Sequence, residues 1–448
     1  MKIKLIQPSM LPRPMDTKLK TRMSPSLALL TIANLTPKVH EVKIENENVE
    51  EIDFNEHVDL VAITVTVDGM NRAVEISKEF RKRGVSVIAG GIHITADPEG
   101  TASSFDGICV GMAERVWLRI LKDKENNSLK KVYYDMENIL GKEIVGPDYN
   151  SIDNRKYLYT NIISTSRGCP FKCDFCYNSC ENTLKVYINR PIVDVIKDIK
   201  TLNSRHIMFI DDNFIGNPVW TKKLLKEIKP LKLKWNAAVT SNIVDMPELL
   251  DEMKESGCQS LFIGFESINS KSLESVHKVQ NSVNRYEKLV GEIHKRGIMI
   301  NASLVFGLDE DDVSVFKSTL KWIVKNKIET VTSHILTPYP GTKLYQSLLE
   351  ENRILDFDLS HYNTAHVVYK TKNMTAEELY KGYIWLYKEV YTFKNIFKRM
   401  PKSKKQWIPF LAFNFFYRKF GKFTEVLCNM ISFNKIGKFF GWMTYRKQ

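Results

Sequence analysis

The stretch SRGCPFKCDFCYN (Ser166–Asn178) contains three cysteines, Cys169, Cys173 and Cys176, spaced as CxxxCxxC. A glycine and a proline flank the first cysteine and bend the backbone, so that the three sulfurs can face one centre. Three thiolates leave one iron of a four-iron cluster without a protein ligand, and an open coordination position is where chemistry can take place. The motif therefore predicts a reactive iron–sulfur site.

A structural zinc site is the alternative for this motif. Such a site normally uses four ligands, often as paired CxxC units, and Cys180 could supply the fourth. The protein would then be a zinc-stabilised binding module. The aromatic Phe175 before the third cysteine and the order of the surrounding strands favour the cluster. A disulfide framework is not expected, because the chain has seven cysteines with three of them packed into eight residues.

Hydrophobic patterning upstream of the motif predicts a parallel α/β domain. Short apolar runs alternate with amphipathic helices, and the runs end in small residues. The predicted strands are IKLIQPS, VHEVKIE, VDLVAITVTV, VSVIAGG and GICVG. Continuous Val, Ile and Ala runs are typical of strands covered on both faces, which predicts a doubly wound, Rossmann-like domain over residues 1–124. The polar residues 125–156 are interpreted as a linker.

The pattern starts again at Tyr157 and continues on the far side of the motif. Six strand candidates are each followed by a helix: TNIISTSRGC, HIMFIDDNF, LKWNAAVTS, SLFIGFES, MINASLVFGL and TVTSHILTP. They predict a partial (β/α)6 barrel over residues 157–345, since eight units would close one. The cysteines follow the first of these strands, at the end where such barrels carry active sites. Residues 346–448 are predicted to be a helical C-terminal region with a basic and aromatic tail.

The cysteine motif resembles the signature of the radical SAM superfamily, CxxxCxΦC, in which Φ is an aromatic residue. The resemblance implies that Cys169, Cys173 and Cys176 hold a 4Fe-4S cluster whose open iron binds S-adenosylmethionine (SAM). Reductive cleavage of SAM would release methionine and a 5′-deoxyadenosyl radical that abstracts a substrate hydrogen. A reductant such as flavodoxin or ferredoxin is implied as a partner.

The resemblance also implies SAM contacts at the ends of the barrel strands. The candidates are Phe175, Asp211, Asp212, Asn213, Glu266, Ser267, Asn301 and Gly307. Acidic residues at strand ends are as often helix caps or solvated turns, which is the alternative for each of them. Two further residues, His334 and Tyr339, follow the last strand and are candidate catalytic residues facing the substrate.

The N-terminal domain resembles the cobalamin-binding domain that precedes the barrel in one class of this superfamily, to which methyltransferases belong. The implied cobalamin contacts are Thr66, Val67, Asp68, Gly90, Gly91, Ile92, Gly111 and Met112. The DxHxxG motif that supplies an axial histidine is absent, and His93 lacks that context. With cobalamin, the expected reaction is methylation of an unactivated carbon. The alternative is a cobalamin-free domain in a cyclase or rearrangement enzyme.

The C-terminal tail carries nearly all of the net charge of +13. Its basic residues are Lys394, Lys398, Arg399, Lys402, Lys404, Lys405, Arg418, Lys419, Lys422, Lys435, Lys438, Arg446 and Lys447. From Trp407 onward its aromatic residues are Trp407, Phe410, Phe413, Phe415, Phe416, Tyr417, Phe420, Phe423, Phe433, Phe439, Phe440, Trp442 and Tyr445. This composition predicts peripheral attachment to an anionic membrane surface, and hence a hydrophobic or lipid substrate.

Two other interpretations of the tail remain open. The aromatic residues could pack back on the barrel as a helical cap, or the basic residues could bind RNA. Nucleic acid is the less favoured partner, because RNA-modifying relatives carry a second cluster and the N-terminal domain has Cys109 alone. Without a signal peptide or a run of about 20 apolar residues, the protein is expected to be cytoplasmic, possibly at the inner face of the membrane.

Overall fold

The computed structural model describes residues 1–135, 139–183, 186–202, 204–431, 435 and 437–439. Within them the chain forms two parallel six-stranded sheets, one after the other, and a short antiparallel ribbon. Helices cover the sheets and continue into a C-terminal segment. The α/β class predicted from the sequence is confirmed.

The first sheet has the strand order β2-β1-β3-β4-β5-β6. Its strands are β1 (Lys2–Gln7), β2 (Glu41–Asn46), β3 (Leu60–Thr64), β4 (Ser86–Gly90), β5 (Gly107–Gly111) and β6 (Val132–Asp135). The order reverses between β1 and β3, which makes the crevice at their carboxyl ends the expected ligand site. Five of the strands match predicted segments. The sixth lies inside the segment interpreted as linker, where Val132 pairs with Ile108 of β5, so part of that segment belongs to the sheet.

Six helices accompany this sheet. They are α1 (Lys18–Thr21), α2 (Leu27–Leu35), α3 (Met70–Lys82), α4 (Ile92–Ala96), α5 (Pro98–Thr101) and α6 (Ala113–Glu125). Apolar residues at helical spacing bury one face of α3 through Ala73, Ile76 and Phe80, which pack on the sheet. The long connection between β1 and α2 starts at the crevice and contains α1.

The second sheet has the order β14-β13-β12-β11-β10-β7, so its strands follow one another along the chain. They are β7 (Ile162–Ile163), β10 (His206–Phe209), β11 (Lys234–Val239), β12 (Cys258–Glu266), β13 (Met299–Phe306) and β14 (Thr330–Ile335). All six predicted strands are confirmed. The antiparallel ribbon, β8 (Ser166–Arg167) and β9 (Ile188–Asn189), lies between β7 and β10 in the chain and closes the cysteine segment into a loop.

Helices follow these strands as predicted. They are α7 (Ile192–Thr201), α8 (Pro218–Ile228), α9 (Pro247–Glu255), α10 (Ser270–Glu274), α11 (Tyr286–Lys295), α12 (Ser314–Lys325), α13 (Lys343–Glu350) and α14 (Ala376–Val390). The largest core lies between them and the sheet. Trp235 is fully buried there, with ring centroids 5.6 Å from Phe209 and 5.4 Å from Phe214.

The C-terminal segment is anchored on the second sheet by one buried arginine. It contains α15 (Phe393–Lys398), α16 (Trp407–Leu411), a π-helix (Ala412–Lys419) and α17 (Gly421–Met430). Arg399 is fully buried and donates hydrogen bonds to the carbonyls of Ile328, Glu329 and Val390 at 2.7–2.8 Å. Part of the segment therefore packs as a cap. The predicted tail residues Phe433, Phe440, Trp442, Tyr445, Arg446 and Lys447 lie outside the described residues.

Among the described residues, no helix is both long enough and apolar enough to cross a bilayer.

Candidate active site

The three cysteines of the motif lie on the loop that the ribbon closes. Gly168 enters this loop with φ +77°, a conformation that favours glycine, and the Cys176 amide donates to the Cys173 carbonyl at 3.0 Å. Burial raises the pKa of Cys169, and it raises that of Cys176 to about 11. A metal binds cysteine sulfurs as thiolates, so a bound metal would lower the pKa values that burial raises.

The three thiols do not converge on a single ion. No group of three or more His, Cys, Asp or Glu side chains within the described parts of the chain could hold one metal ion. In a cubane cluster each thiolate binds a different iron, so the three sulfurs need not meet at one point. Cys180, the fourth ligand of the zinc alternative, is buried, and burial raises its pKa to about 12.

Asp211 holds the strand that leads into the cysteine loop. Its carboxylate accepts hydrogen bonds from the Thr165 amide at 2.7 Å and from the Ser166 amide and hydroxyl, both at 2.6 Å. The Thr165 hydroxyl adds a fourth bond at 3.1 Å. Burial raises the pKa of Asp211, and these donors oppose the rise. The observed role of Asp211 is to position the loop, and the SAM contact implied for it stays a prediction.

The next two predicted residues have different surroundings. Asp212 is exposed, and its carboxylate accepts a hydrogen bond from the side-chain amide of Asn178, in the cysteine loop, at 3.1 Å. Asn213 is buried and shapes the turn after β10, where its carbonyl accepts from the Tyr187 hydroxyl at 3.0 Å.

A buried ion pair lies beside the cysteines. Glu266, at the end of β12, has φ +60°, and its carboxylate accepts from the Lys278 ammonium at 2.6 Å. Burial opposes the charge on Lys278, but Glu266 and the nearby Cys173 thiol raise its pKa. The ammonium lies 5.6 Å from the centroid of the Phe175 ring. This positive charge favours thiolates in the loop.

Sequence reasoning did not identify Lys278 or its neighbour Gln280. The Gln280 side-chain amide donates to the Cys173 sulfur at 3.5 Å. Both residues belong to the polar run HKVQN between α10 and α11. A solvated loop has the same composition, so no signal in the sequence distinguishes them.

Two of the remaining predicted SAM residues, Ser267 and Gly307, follow the carboxyl ends of β12 and β13. Ser267 caps a turn by accepting from the Asn269 amide at 3.0 Å. Gly307 has φ +97°, and its amide donates at 3.1 Å to a carboxylate on the same turn. The third, Asn301, lies in the amino half of β13, where its side chain accepts from the Thr332 hydroxyl at 3.2 Å. The structure thus places Ser267 and Gly307 at one edge and Asn301 away from it, and their SAM contacts stay predictions.

The predicted cobalamin residues lie at the carboxyl ends of β3, β4 and β5, along one edge of the first sheet. Gly91 has φ +107°, and a Cβ there would lie 2.8 Å from both the amide nitrogen and the carbonyl oxygen of Val65. Gly111 has φ +90°, and its amide donates to Thr95 at 3.1 Å. The Thr66 hydroxyl donates to Asp68 at 2.7 Å. These turns lie at the carboxyl edge of the sheet, which is where open α/β sheets bind their ligands.

Four predicted positions on this edge have simpler surroundings. Gly90 ends β4, Val67 is buried, Ile92 is 39% exposed and Met112 precedes α6.

The crevice and the cysteine loop meet. His93, on α4, lies 3.4 Å from the Tyr177 hydroxyl through its Nδ1 atom, and Tyr177 directly follows the third cysteine. Tyr177 stacks on Tyr339 with ring centroids 4.7 Å apart, and Val67 belongs to the same apolar cluster. Burial lowers the pKa of His93 to about 4, and its Nε2 atom has no hydrogen-bond partner among the described residues.

The two candidate catalytic residues separate in the structure. Tyr339 lies at this junction, whereas His334 points its Nδ1 to the Thr364 hydroxyl at 3.0 Å, on the far strand of the sheet. Burial lowers the pKa of His334 to about 3, so the imidazole is neutral at physiological pH.

Comparison with known proteins identifies the family of this chain. Residues 163–351 match the Radical SAM superfamily, and residues 342–429 match a domain of unknown function, DUF4070. Bacteriochlorophyllide d C-12(1)-methyltransferase of Chlorobaculum tepidum is 30% identical over 412 residues, covering 89% of this chain and 90% of that protein. The C-8(2)-methyltransferase of the same organism is 30% identical over 396 residues, covering 83% and 87%.

A solved structure shares the fold of nearly the whole chain. It is the cobalamin-dependent S-adenosylmethionine radical enzyme OxsB with aqua-cobalamin and S-adenosylmethionine bound, with a TM-score of 0.70 at 16% identity. The match covers 99% of this chain and 75% of that chain. The Radical SAM match and the two relatives at 30% identity set aside the zinc-module alternative. The chain belongs to the radical SAM superfamily and shares its fold with a cobalamin-dependent enzyme of known structure.

Proposed function

We propose that this protein is a cobalamin-dependent radical SAM methyltransferase that methylates an unactivated carbon of a hydrophobic substrate. One observation carries the proposal. The crevice that would hold cobalamin and the loop that would hold the cluster adjoin through His93 and Tyr177. The two relatives named above act on bacteriochlorophyllide d, which makes a tetrapyrrole the first substrate to test.

The residues divide between the cofactors by chemistry. When bound, the cluster supplies the electron that cleaves SAM to methionine and a 5′-deoxyadenosyl radical, and cobalamin supplies the methyl group. Cys169, Cys173 and Cys176 are the cluster ligands. Lys278 and Glu266 present a cation and a carboxylate next to them, which suits the zwitterionic methionine part of SAM. The glycine turn at Gly91, which packs against the Val65 backbone, would form part of the cobalamin site at the carboxyl edge of the first sheet.

The domain organisation belongs to the same proposal. Residues 1–124 with β6 form the cobalamin-binding unit, and residues 157–345 form a partial (β/α)6 barrel with its carboxyl edge toward that unit. Residues 346–448 form the helical C-terminal region. The contact between His93 and Tyr177, at 3.4 Å, joins the first unit to the barrel, and the contacts of Asn71 with Asp358 and of Arg13 with Thr364 join it to the C-terminal region.

Product analysis tests the reaction. Protein purified and reconstituted without oxygen should bind iron and cobalamin and, with SAM, a reductant and a tetrapyrrole substrate, form both S-adenosylhomocysteine and 5′-deoxyadenosine. Methylation predicts both products, because one SAM recharges cobalamin and another is cleaved to the radical. Formation of 5′-deoxyadenosine alone during turnover would support the cyclase or rearrangement alternative. The Cys169→Ala protein is the control and should form neither product beyond background.

We also propose that the C-terminal segment attaches the protein to an anionic membrane surface at the cytoplasmic face. Phe393, Phe397 and Phe423 expose 49%, 58% and 62% of their surface. Lys394 directly follows the first of these rings in the sequence, and Lys398 directly follows the second. An apolar ring next to a lysine suits the boundary between headgroups and acyl chains.

Sedimentation with phosphatidylglycerol vesicles tests the attachment without truncating the anchored segment. The Phe397→Ser and Phe423→Ser double variant should bind less than the unchanged protein. Val219→Ser is the matched control, since this apolar residue is 67% exposed on α8. Equal sedimentation of all three proteins, or equal binding to uncharged phosphatidylcholine vesicles, would remove the basis for this attachment.

A further inference from the structure

The long connection after β1 carries charged residues from the crevice of the first sheet to the edge of the second. Arg13 donates to the Thr364 hydroxyl at 3.2 Å, and the same hydroxyl lies 3.0 Å from His334 of β14. The Arg13 charge also acts on Asp68 in the crevice and on Tyr339 beside the cysteine loop. Arg13 therefore lies where the two predicted sites face each other.

Two more cations lie near Arg13, one on the same connection and one from the C-terminal segment. Lys20, on α1, lies 5.8 Å from the centroid of the Tyr387 ring. Arg418, on the π-helix, donates to the Thr332 hydroxyl of β14 at 3.3 Å and to the Tyr387 hydroxyl. Two parts of the chain that are distant in sequence thus bring three cations to the neighbourhood of the edge strand.

Asp16 lies among these cations. Its carboxylate accepts from the Arg13 guanidinium at 2.7 Å and also from the Lys20 ammonium. Burial and the nearby Arg418 charge lower the pKa of Lys20 to about 7, with Asp16 opposing them. Repulsion among neighbouring cations is relieved when a further anion binds between them. The side chains of Arg13, Asp16 and Lys20 retain 22%, 10% and 15% exposure, so the cluster is largely buried but still reached by solvent.

We propose that Arg13, Lys20 and Arg418 bind a carboxylate of the substrate. The inference rests on the proposed function, because it concerns the same site. A guanidinium can bind a carboxylate through two parallel hydrogen bonds, and the lysine adds a point charge. The rings of Tyr383 and Tyr387 line the cluster and would contact the apolar body of such a molecule. The substrate would then be an apolar molecule with an acidic substituent, held between the crevice and the cysteine loop.

A matched pair of probes tests the charge requirement. Protoporphyrin IX carries two carboxylates, and its dimethyl ester has the same ring without them. Binding is followed by the change in porphyrin fluorescence in dilute nonionic detergent, with anaerobically reconstituted full-length protein. Arg13→Gln and Arg418→Gln should each weaken binding of the diacid about tenfold or more, since hydrogen bonds to charged groups are the stronger ones. Binding of the diester should change less than twofold.

Changing Asp16 gives the opposite sign. Asp16→Asn removes the carboxylate that competes for the cations and should strengthen diacid binding several-fold. If the cluster had a purely structural role, every variant would bind both probes more weakly, because the substitution would disturb the local fold. Arg155→Gln is the control, as this arginine is 78% exposed on a separate segment and pairs with Asp153. Thermal melting identifies a variant that does not fold, in which case Arg13→Lys, which keeps the charge, should retain diacid binding.

Three results would overturn the assignment. They are equal loss of diacid and diester binding, weaker diacid binding in Asp16→Asn, and a loss in Arg155→Gln as large as in Arg13→Gln. Failure of the proposed reaction is seen separately, as absence of S-adenosylhomocysteine from the unchanged protein. If the unchanged protein methylates but binds both probes equally, the carboxylate site alone is wrong.

Discussion

Replacing Asp211 by alanine tests whether a buried carboxylate holds the cysteine loop in place. The change leaves the amides of Thr165 and Ser166 without the acceptor that they reach at 2.7 and 2.6 Å. An unsatisfied buried amide costs about 1–3 kcal/mol, so the two together should lower the free energy of unfolding by roughly 4 kcal/mol. For a domain of this size each kcal/mol shifts the melting temperature by about 2–4 °C, which predicts a fall of about 8–16 °C.

The adjacent Asp212→Ala variant is the matched control. Its exposed carboxylate accepts a single hydrogen bond from Asn178 at 3.1 Å, so its loss should cost less than about 1 kcal/mol. Asp211→Asn should lie between the two, because its one side-chain oxygen can still accept from the backbone amides. Circular dichroism of the iron-free proteins gives the melting temperatures, and iron per protein after anaerobic reconstitution reports the geometry of the loop. If Asp211→Ala melts within about 2 °C of Asp212→Ala and takes up equal iron, Asp211 does not hold the loop.

Four other changes test the site. Cys180→Ala should keep full iron content, because this thiol is not assigned to the cluster. Lys278→Met should lower the free energy of unfolding by about 3–5 kcal/mol, since it leaves a buried carboxylate unpaired. Gly91→Ala should lower cobalamin content, measured by absorbance, because its Cβ would lie 2.8 Å from backbone atoms at φ +107°. The last change concerns Asp311, whose buried carboxylate accepts from the Gly307 amide at 3.1 Å. Burial raises the pKa of Asp311 from 3.8 to about 6, so this group contributes about 3 kcal/mol of stability below pH 4 that is lost as the pH rises to about 6. Asp311→Asn should remove this part of the pH dependence of stability.

Three of these variants have a control variant, and the Asp311 variant is tested by its pH dependence. Cys169→Ala should lose iron, and similar iron in both cysteine variants would contradict the ligand assignment. Adding Glu266→Gln to the lysine variant should recover much of the lost stability, and an additive further loss would argue against a buried ion pair. Gly84→Ala also has a positive φ, +75°, but its Cβ would meet open space. Equal cobalamin loss in both glycine variants would point to backbone strain alone. For Asp311, chemical denaturation at pH 4 and pH 6 is the measurement, and an unchanged slope in the asparagine variant would refute the assignment.

Much of the fold could be predicted because parallel strands covered on both faces have continuous apolar sequences. All six strands of the second sheet and five of the first were predicted in this way. β6 was missed since VYYD is short, half polar and preceded by a charged segment, which resembles a linker. It becomes a strand because β5 offers it an unpaired edge, which is a tertiary effect.

The cysteine motif stands out in the sequence because its spacing is local, and its role in holding a cluster stays a prediction. The residues that surround the cysteines could not be predicted, since they come from other segments. Lys278 and Gln280 follow β12, and Arg13 comes from the connection after β1. A charged residue in a polar loop looks the same in the sequence whether water or a buried thiol surrounds it. Asp211 is the converse case. The family resemblance implies that this acid binds SAM, but its observed partners are backbone amides and hydroxyls of the segment that leads into the cysteine loop.

The junction between the two sites depends on a single step along the chain. Cys176 has extended backbone angles, φ −99° and ψ 138°, and consecutive side chains on extended backbone point to opposite sides. Cys176 can therefore serve the cluster while Tyr177 turns to His93 and Tyr339. A change that moves the cysteine loop must also move the tyrosine that contacts the first domain. The geometry of the cysteine loop is therefore coupled to its contact with the first domain.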